Sequence, residues 1–308
     1  MINFNITAEM FFLIADIMEE IGKLSEFSKG LDNFPKLKKE MIIKSVSATL
    51  CFDDIVVSKE QVSRIMLNKR VYMENDKSQK VKNTIKAYEV LEKINPYNVE
   101  DLFKVNDILT DKLEKHLLDF KEECLSYLPN GRAVRKEIVS LFEFAKTNTL
   151  HPLILAVVMM IELQNIWQFW DANSTTARFW LKAILADYKS IFRFIPIENA
   201  LLKKEYSPFK FESYKEHMQF VLECIKNAIK NFAIATREHR NHISYQVRKL
   251  LEAMEYYPLA AGEIMNRMHL KSRAGFRHNY LNPALESGLI AMTIPNKPTS
   301  KSQMYYKM

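Results

Sequence analysis

Residues 166–180 read IWQFWDANSTTARFW, a polar break between two apolar runs, and the fold is read outward from it. Upstream, HPLILAVVMMIELQNI (151–166) is apolar at nearly every position, with Pro152 where a helix tolerates proline, in its first turn. The stripe of Met159, Met160 and Leu163 belongs to a core. Downstream, Ser174, Thr175 and Thr176 favour a helix start and leave its first N–H groups free, an arrangement that can bind phosphate. The stretch is therefore a helix, a polar turn and a second helix.

The rest of the chain repeats the helical rhythm. MFFLIADIMEEIGKLSEF, KVKNTIKAYEVLEKI and EDLFKVNDILTDKLEKHLLDF place apolar residues three and four apart. Only 6 of the 308 residues are glycine, and Gly262 and Gly275 are too far apart to share a loop. GxGxxG and Walker-type phosphate cradles are excluded. Cys51, Cys124 and Cys224 are odd in number and widely spaced, which fits reduced thiols rather than a disulfide frame or zinc site. Asp16, Glu19 and Glu20 interrupt the apolar amino-terminal run, so neither a signal peptide nor a membrane span is expected, and the location expected is cytoplasmic. With 44 basic against 37 acidic residues, the net charge of +7 permits an acidic partner without requiring one.

The organisation expected is a helical body over 1–235, a polar linker over 236–244 (TREHRNHIS) and a small domain over 245–308. The last begins with helices over SYQVRKLLEAM and AAGEIMNRM and a third opening at Ser272, and closes with two strands, GLIAMTI and QMYYKM. Helices followed by a hairpin make a winged helix-turn-helix. On its third helix Arg273, Arg277 and His278, with Lys297 and Lys301 at the hairpin tip, are candidate contacts to duplex DNA; a solvated face or a protein-binding surface is the other reading.

The central stretch resembles the signature of the Fic family (filamentation induced by cyclic AMP), written HPFxDGNGRxxR. Members transfer AMP from ATP to protein hydroxyls. The flanks resemble it too: IKSVSATLCFDDIVVSKEQVSRIMLNKRV (43–71) is similar to the family's inhibitory-helix region, assigned to 43–62, and KVKNTIKAYEVLEKINPYNVEDL (80–102) and FRFIPIENALLKKE (192–205) are similar to the segments that follow. The resemblance implies a mainly α Fic-type helical domain followed by the winged helix that one branch carries.

Within the motif at 166–178 the chain departs from the family. Trp167 stands where the catalytic histidine would be, and an indole has an N–H to donate but no lone pair to accept a proton. Gln168 replaces the proline, Ala172 and Ser174 the glycines, and Thr175 the first arginine. Phe169, Asn173, the second arginine, Arg178, and Asp171, in the place of the magnesium ligand, are kept. Asn173, Ser174, Thr175 and Arg178 are what remains of the nucleotide site. Losing a clamp arginine forfeits about 1.5–3 kcal/mol per charged hydrogen bond. The family's target-docking flap is not legible in EKHLLDFKEECLSY (114–127).

The inhibitory pattern [ST]xxxE[GN] is matched by Thr49 through Asp54, with Asp53 a shorter acid expected to pair with Arg178 directly or through a bridging water. The resemblance thus implies a degenerate Fic-fold protein that lacks AMP transfer, needs no cofactor and acts as a binding or regulatory module, with DNA or a protein as partner and no membrane contact. The alternative is residual nucleotidyl transfer, with magnesium and ATP as its cofactors and Asp171 holding the metal.

Overall fold

A computed structural model describes residues 5–28, 35–113, 131–166, 173–242 and 244–307. It is mainly α-helical with one small sheet at the carboxyl end. The helices are α1 (Ala8–Ser28), α2 (Pro35–Cys51), α3 (Lys59–Met66), α4 (Asn75–Val90), α5 (Val99–Thr110), α6 (Gly131–Thr147), α7 (Pro152–Ile166), α8 (Asn173–Tyr188), α9 (Ile197–Lys203), α10 (Tyr214–His242) and α11 (Tyr245–Ala253). Then come β1 (Leu259–Ala260), α12 (Ala261–Arg267), α13 (Arg273–Phe276), a π-helical turn over Arg277–Leu281, α14 (Asn282–Glu286), β2 (Ile290–Met292) and β3 (Met304–Lys307). Two compact units are formed, residues 1–20 with 41–229 and residues 21–40 with 230–308.

In the first unit α7 is the centre. Because it is apolar on every face it is buried on every face, and α8 is its principal partner. Trp180 of α8 is fully buried, tilted against Phe142 of α6 at 5.5 Å, and donates its indole N–H to the Pro96 carbonyl at 3.0 Å. Asn83 of α4 donates to the carbonyls of Leu109 (3.1 Å) and Asp111 (2.8 Å), satisfying the end of α5. His151 accepts the Leu153 N–H on Nδ1 at the start of α7, a cap rather than a reactive group.

One buried polar network crosses this core. Lys182 of α8 and Glu198 of α9, 0% and 2% exposed, pair at 3.0 Å, and the ammonium also donates to Ser45 (2.8 Å) and the Ile195 carbonyl (3.0 Å). The Tyr88 hydroxyl donates to Glu198 at 2.7 Å and meets the Thr49 hydroxyl at 2.9 Å. Every partner is satisfied, which is the condition for a charged pair to persist without water.

In the second unit the sheet order is β1-β3-β2, both pairings antiparallel, with Leu259 opposite Tyr305 and Met292 opposite Tyr305 from the other side. The two expected strands are present. β1 is an addition: Ala260 was expected to open a helix and Leu259 was given no element, and two residues are too few for alternation to show. Residues 236–242, read as a linker, continue α10, because no glycine or proline stops the helix there. Gly288 releases the chain after α14 at φ +69°, a conformation costly for a residue with a Cβ.

Candidate functional site

The turn ending α2 sets the geometry. Asp54 N–H bonds to the Cys51 carbonyl (3.2 Å) and Ile55 N–H to the Leu50 carbonyl (3.0 Å), the reciprocal pair that closes a helix through a left-handed residue. Asp54 is that residue, at φ 57°. The position that the family pattern reserves for glycine or asparagine is thus a helix-closing position, taken here by aspartate. Ile55, buried, anchors the turn, and Asp53, the residue before Asp54, directs its carboxylate to Thr175 of α8.

What meets that carboxylate is Thr175. Its hydroxyl donates to Asp53 Oδ1 at 3.2 Å and accepts from the Arg178 guanidinium at 2.9 Å. Asp53 and Arg178 form no ion pair among the described residues, which corrects the expected direct contact. The Thr175 hydroxyl stands between the two side chains, where a direct contact or a bridging water was expected.

Arg178 is 3% exposed. It donates also to the Ser174 hydroxyl, and its guanidinium lies over the Phe52 ring at 4.0 Å. Its Nε has no partner among the described residues. Burial lowers its pKa, opposed by Asp53, while burial raises that of Asp53, opposed by Arg178 and Lys80. The two charges feel each other through the threonine.

A second chain of bonds reaches Ser174 from the other side. Gln164 at the end of α7 donates to the Ser174 hydroxyl at 3.3 Å, and Tyr206 donates to Gln164 Oε1 at 2.6 Å. His217 of α10 meets the Tyr206 oxygen at 2.8 Å and stacks on Phe211 at 4.3 Å. Burial pushes the imidazole pKa down to about 4, so the ring is neutral at pH 7 and Nε2–H is the donor to Tyr206. Neither Tyr206 nor His217 was singled out in the sequence. Both lie in a polar, aromatic segment (206–217) whose spacing resembles a surface loop.

Trp167, Asp171, the side chain of Asn173 and the expected flap interval lie outside the described residues. Thr49, expected as part of the inhibitory pattern, is buried against Tyr88 rather than facing Arg178. In the second unit Arg273, Arg277, His278, Lys297 and Lys301 are all exposed. Phe276 is buried, with Tyr280 stacked on it at 6.2 Å, so the apolar side of this helix faces its own core. Among the described residues no helix is long and apolar enough to cross a membrane.

Two likenesses to known proteins bear on this fold. Residues 245–307 match the family model described as Filamentation induced by cAMP protein Fic-like, C-terminal domain. Among solved structures, a Fic family protein from Desulfovibrio desulfuricans G20 matches with a TM-score of 0.66 and 24% identity, over 99% of this chain and 97% of that one. The chain has the fold of that protein along nearly its whole length, and its carboxyl-terminal residues match the Fic-like C-terminal domain. No curated protein matches the chain.

Proposed function

We propose that this chain is a Fic-fold protein that does not transfer AMP and works by binding. The observation that carries the reading is the state of Arg178. One donor on each terminal nitrogen is taken, by Ser174 and by Thr175, the guanidinium face lies on Phe52, and Asp53 stands behind the threonine. A triphosphate would have to displace two hydroxyls from a buried guanidinium. The sequence adds that Trp167 offers no base, and base removal alone typically costs about 10²- to 10⁴-fold. As they stand, Ser174 and Thr175 hold guanidinium donors that a bound phosphate would need.

The test is intact-mass analysis of the protein, and of lysate proteins mixed with it, after incubation with Mg-ATP. No gain of about 329 Da, one AMP, is expected. An adduct on the wild-type protein would refute the reading in favour of residual nucleotidyl transfer.

For the partner, the carboxyl-terminal domain is read as a winged helix whose exposed Arg273, Arg277, His278, Lys297 and Lys301 meet duplex DNA. Fluorescence anisotropy with a mixed-sequence duplex should show weak binding with a log–log salt slope of only a few phosphate contacts. No binding at low salt would leave a protein partner as the reading.

A further inference from the structure

Arg273, Arg277 and Lys301 do more than stand exposed on one unit. Together they line a single concavity of about 560 Å³. Its walls are the start of α12 at Ala260–Gly262, the helix bearing the two arginines, and the 298–303 segment ahead of β3. That volume falls within the range of small-molecule sites, about 300–1,000 Å³.

Its charge is uncompensated. The lining contains no aspartate or glutamate, and among the described residues none of the three cations has an ion-pair partner. The nearest basic neighbour on α12 behaves differently: Arg267, outside the cavity, is paired with both Glu255 and Glu263. Three like charges held around one hollow repel one another and are stabilised by an anion. Two arginines four residues apart present planar forks suited to the oxygens of phosphate, and the lysine adds a mobile point charge.

The floor adds a second, independent observation. Gln303, 6% exposed, lines the cavity and gives its amide N–H to the Met304 carbonyl, but among the described residues its Oε1 has no partner. A buried carbonyl oxygen left unbonded costs free energy until a donor reaches it. A sugar hydroxyl is such a donor. We propose that this cavity binds a small phosphate-bearing molecule, its phosphate held by Arg273, Arg277 and Lys301 and a hydroxyl directed at Gln303. The site is separate from the first turn of α8 and stands whether or not the α8 reading holds.

The experiment is isothermal titration of the full chain with inorganic phosphate and with ribose 5-phosphate, against chloride at matched ionic strength. Saturable binding is expected, tighter for the sugar phosphate, and weakened about tenfold or more in each of Arg273→Gln and Lys301→Gln. Gln303→Leu should weaken ribose 5-phosphate while leaving inorganic phosphate closer to wild type. The charge variants are on exposed residues, and circular dichroism checks their fold. Absence of saturable binding in the millimolar range would overturn the proposal. So would phosphate binding untouched by the two charge variants, which would place it elsewhere. A duplex that binds through the same residues while neither small probe does would also overturn it and return them to DNA contact.

Discussion

Replacing Glu198 with glutamine keeps the shape and the acceptor oxygen but takes away the charge that faces Lys182. The ammonium is wholly buried and left with Ser45, the Ile195 carbonyl and a neutral amide. Breaking a buried pair by removing one partner costs about 3–5 kcal/mol. A ceiling follows from chemistry: at pH 7 the lysine can escape by releasing its proton, at a cost of about 4.6 kcal/mol from an unperturbed pKa near 10.4. The expected loss for Glu198→Gln at pH 7 is therefore about 3–4.5 kcal/mol, or roughly 6–18 °C in Tm for a unit of this size.

The sign of the pH dependence separates this from simple loss of packing. Burial already lowers the Lys182 pKa in the wild type, with Glu198 opposing, and in the variant that opposition is gone. The unfolded chain then holds more protons than the folded one between the folded pKa and about 10.4, so the variant gains stability relative to wild type as pH rises through that window. By pH 9 the ceiling has fallen to about 2 kcal/mol. Urea unfolding followed by circular dichroism at pH 7, 8 and 9 measures it. A deficit under about 1 kcal/mol at pH 7, or one unchanged to pH 9, would refute the reasoning.

Three further outcomes are expected. Thr175→Val removes the hydroxyl between Arg178 and Asp53 and should cost about 1–3 kcal/mol in urea unfolding, whereas Thr175→Ser, which keeps the hydroxyl, should lose less than half of that. Because the folded pKa of His217 is held at about 4 and the unfolded one lies near 6.5, stability should fall as pH drops from about 6.5 to 4, by about 2–3 kcal/mol, and His217→Gln should flatten that slope. Asp54→Gly relieves a left-handed aspartate at φ 57° and should raise stability by about 0.5–1 kcal/mol, measured as a rise in Tm.

What the sequence discloses depends on how local the cause is. The helices were legible because their apolar spacing is local, and α7 most of all, since a run with no polar face has only a core to occupy. The helix start at Ser174–Thr176 was legible from capping chemistry, and the two longer strands from alternation. β1 was not, because its pairing with β3 is its whole definition. Lys182 and Glu198 look like ordinary surface charges in helical text. Only the fold brings Ser45, 137 positions away, to the ammonium and so makes a buried pair there. The cavity of the carboxyl-terminal domain is hidden for the same reason: Arg273 and Arg277 were visible as a helical pair, but their convergence with Lys301 is a product of the sheet.

The first turn of α8 brings these levels together. A helix start able to bind phosphate is normally an open one, its donors facing solvent or ligand. Here one chain of bonds, Asp53 to Thr175 to Arg178, arrives from the end of α2, and another, His217 to Tyr206 to Gln164 to Ser174, arrives from α10. The two meet on one guanidinium. Each hydroxyl lost from Arg178 forfeits a charge-assisted bond of about 1.5–3 kcal/mol, so an entering phosphate must first recover about 3–6 kcal/mol before it gains any affinity. With a threonine rather than an arginine at 175, no second guanidinium fork stands there to help it do so. The threonine at 175 thus holds Arg178 on one side and Asp53 on the other, and on the reading proposed above the same residue withholds a phosphate ligand and ties down the arginine that remains.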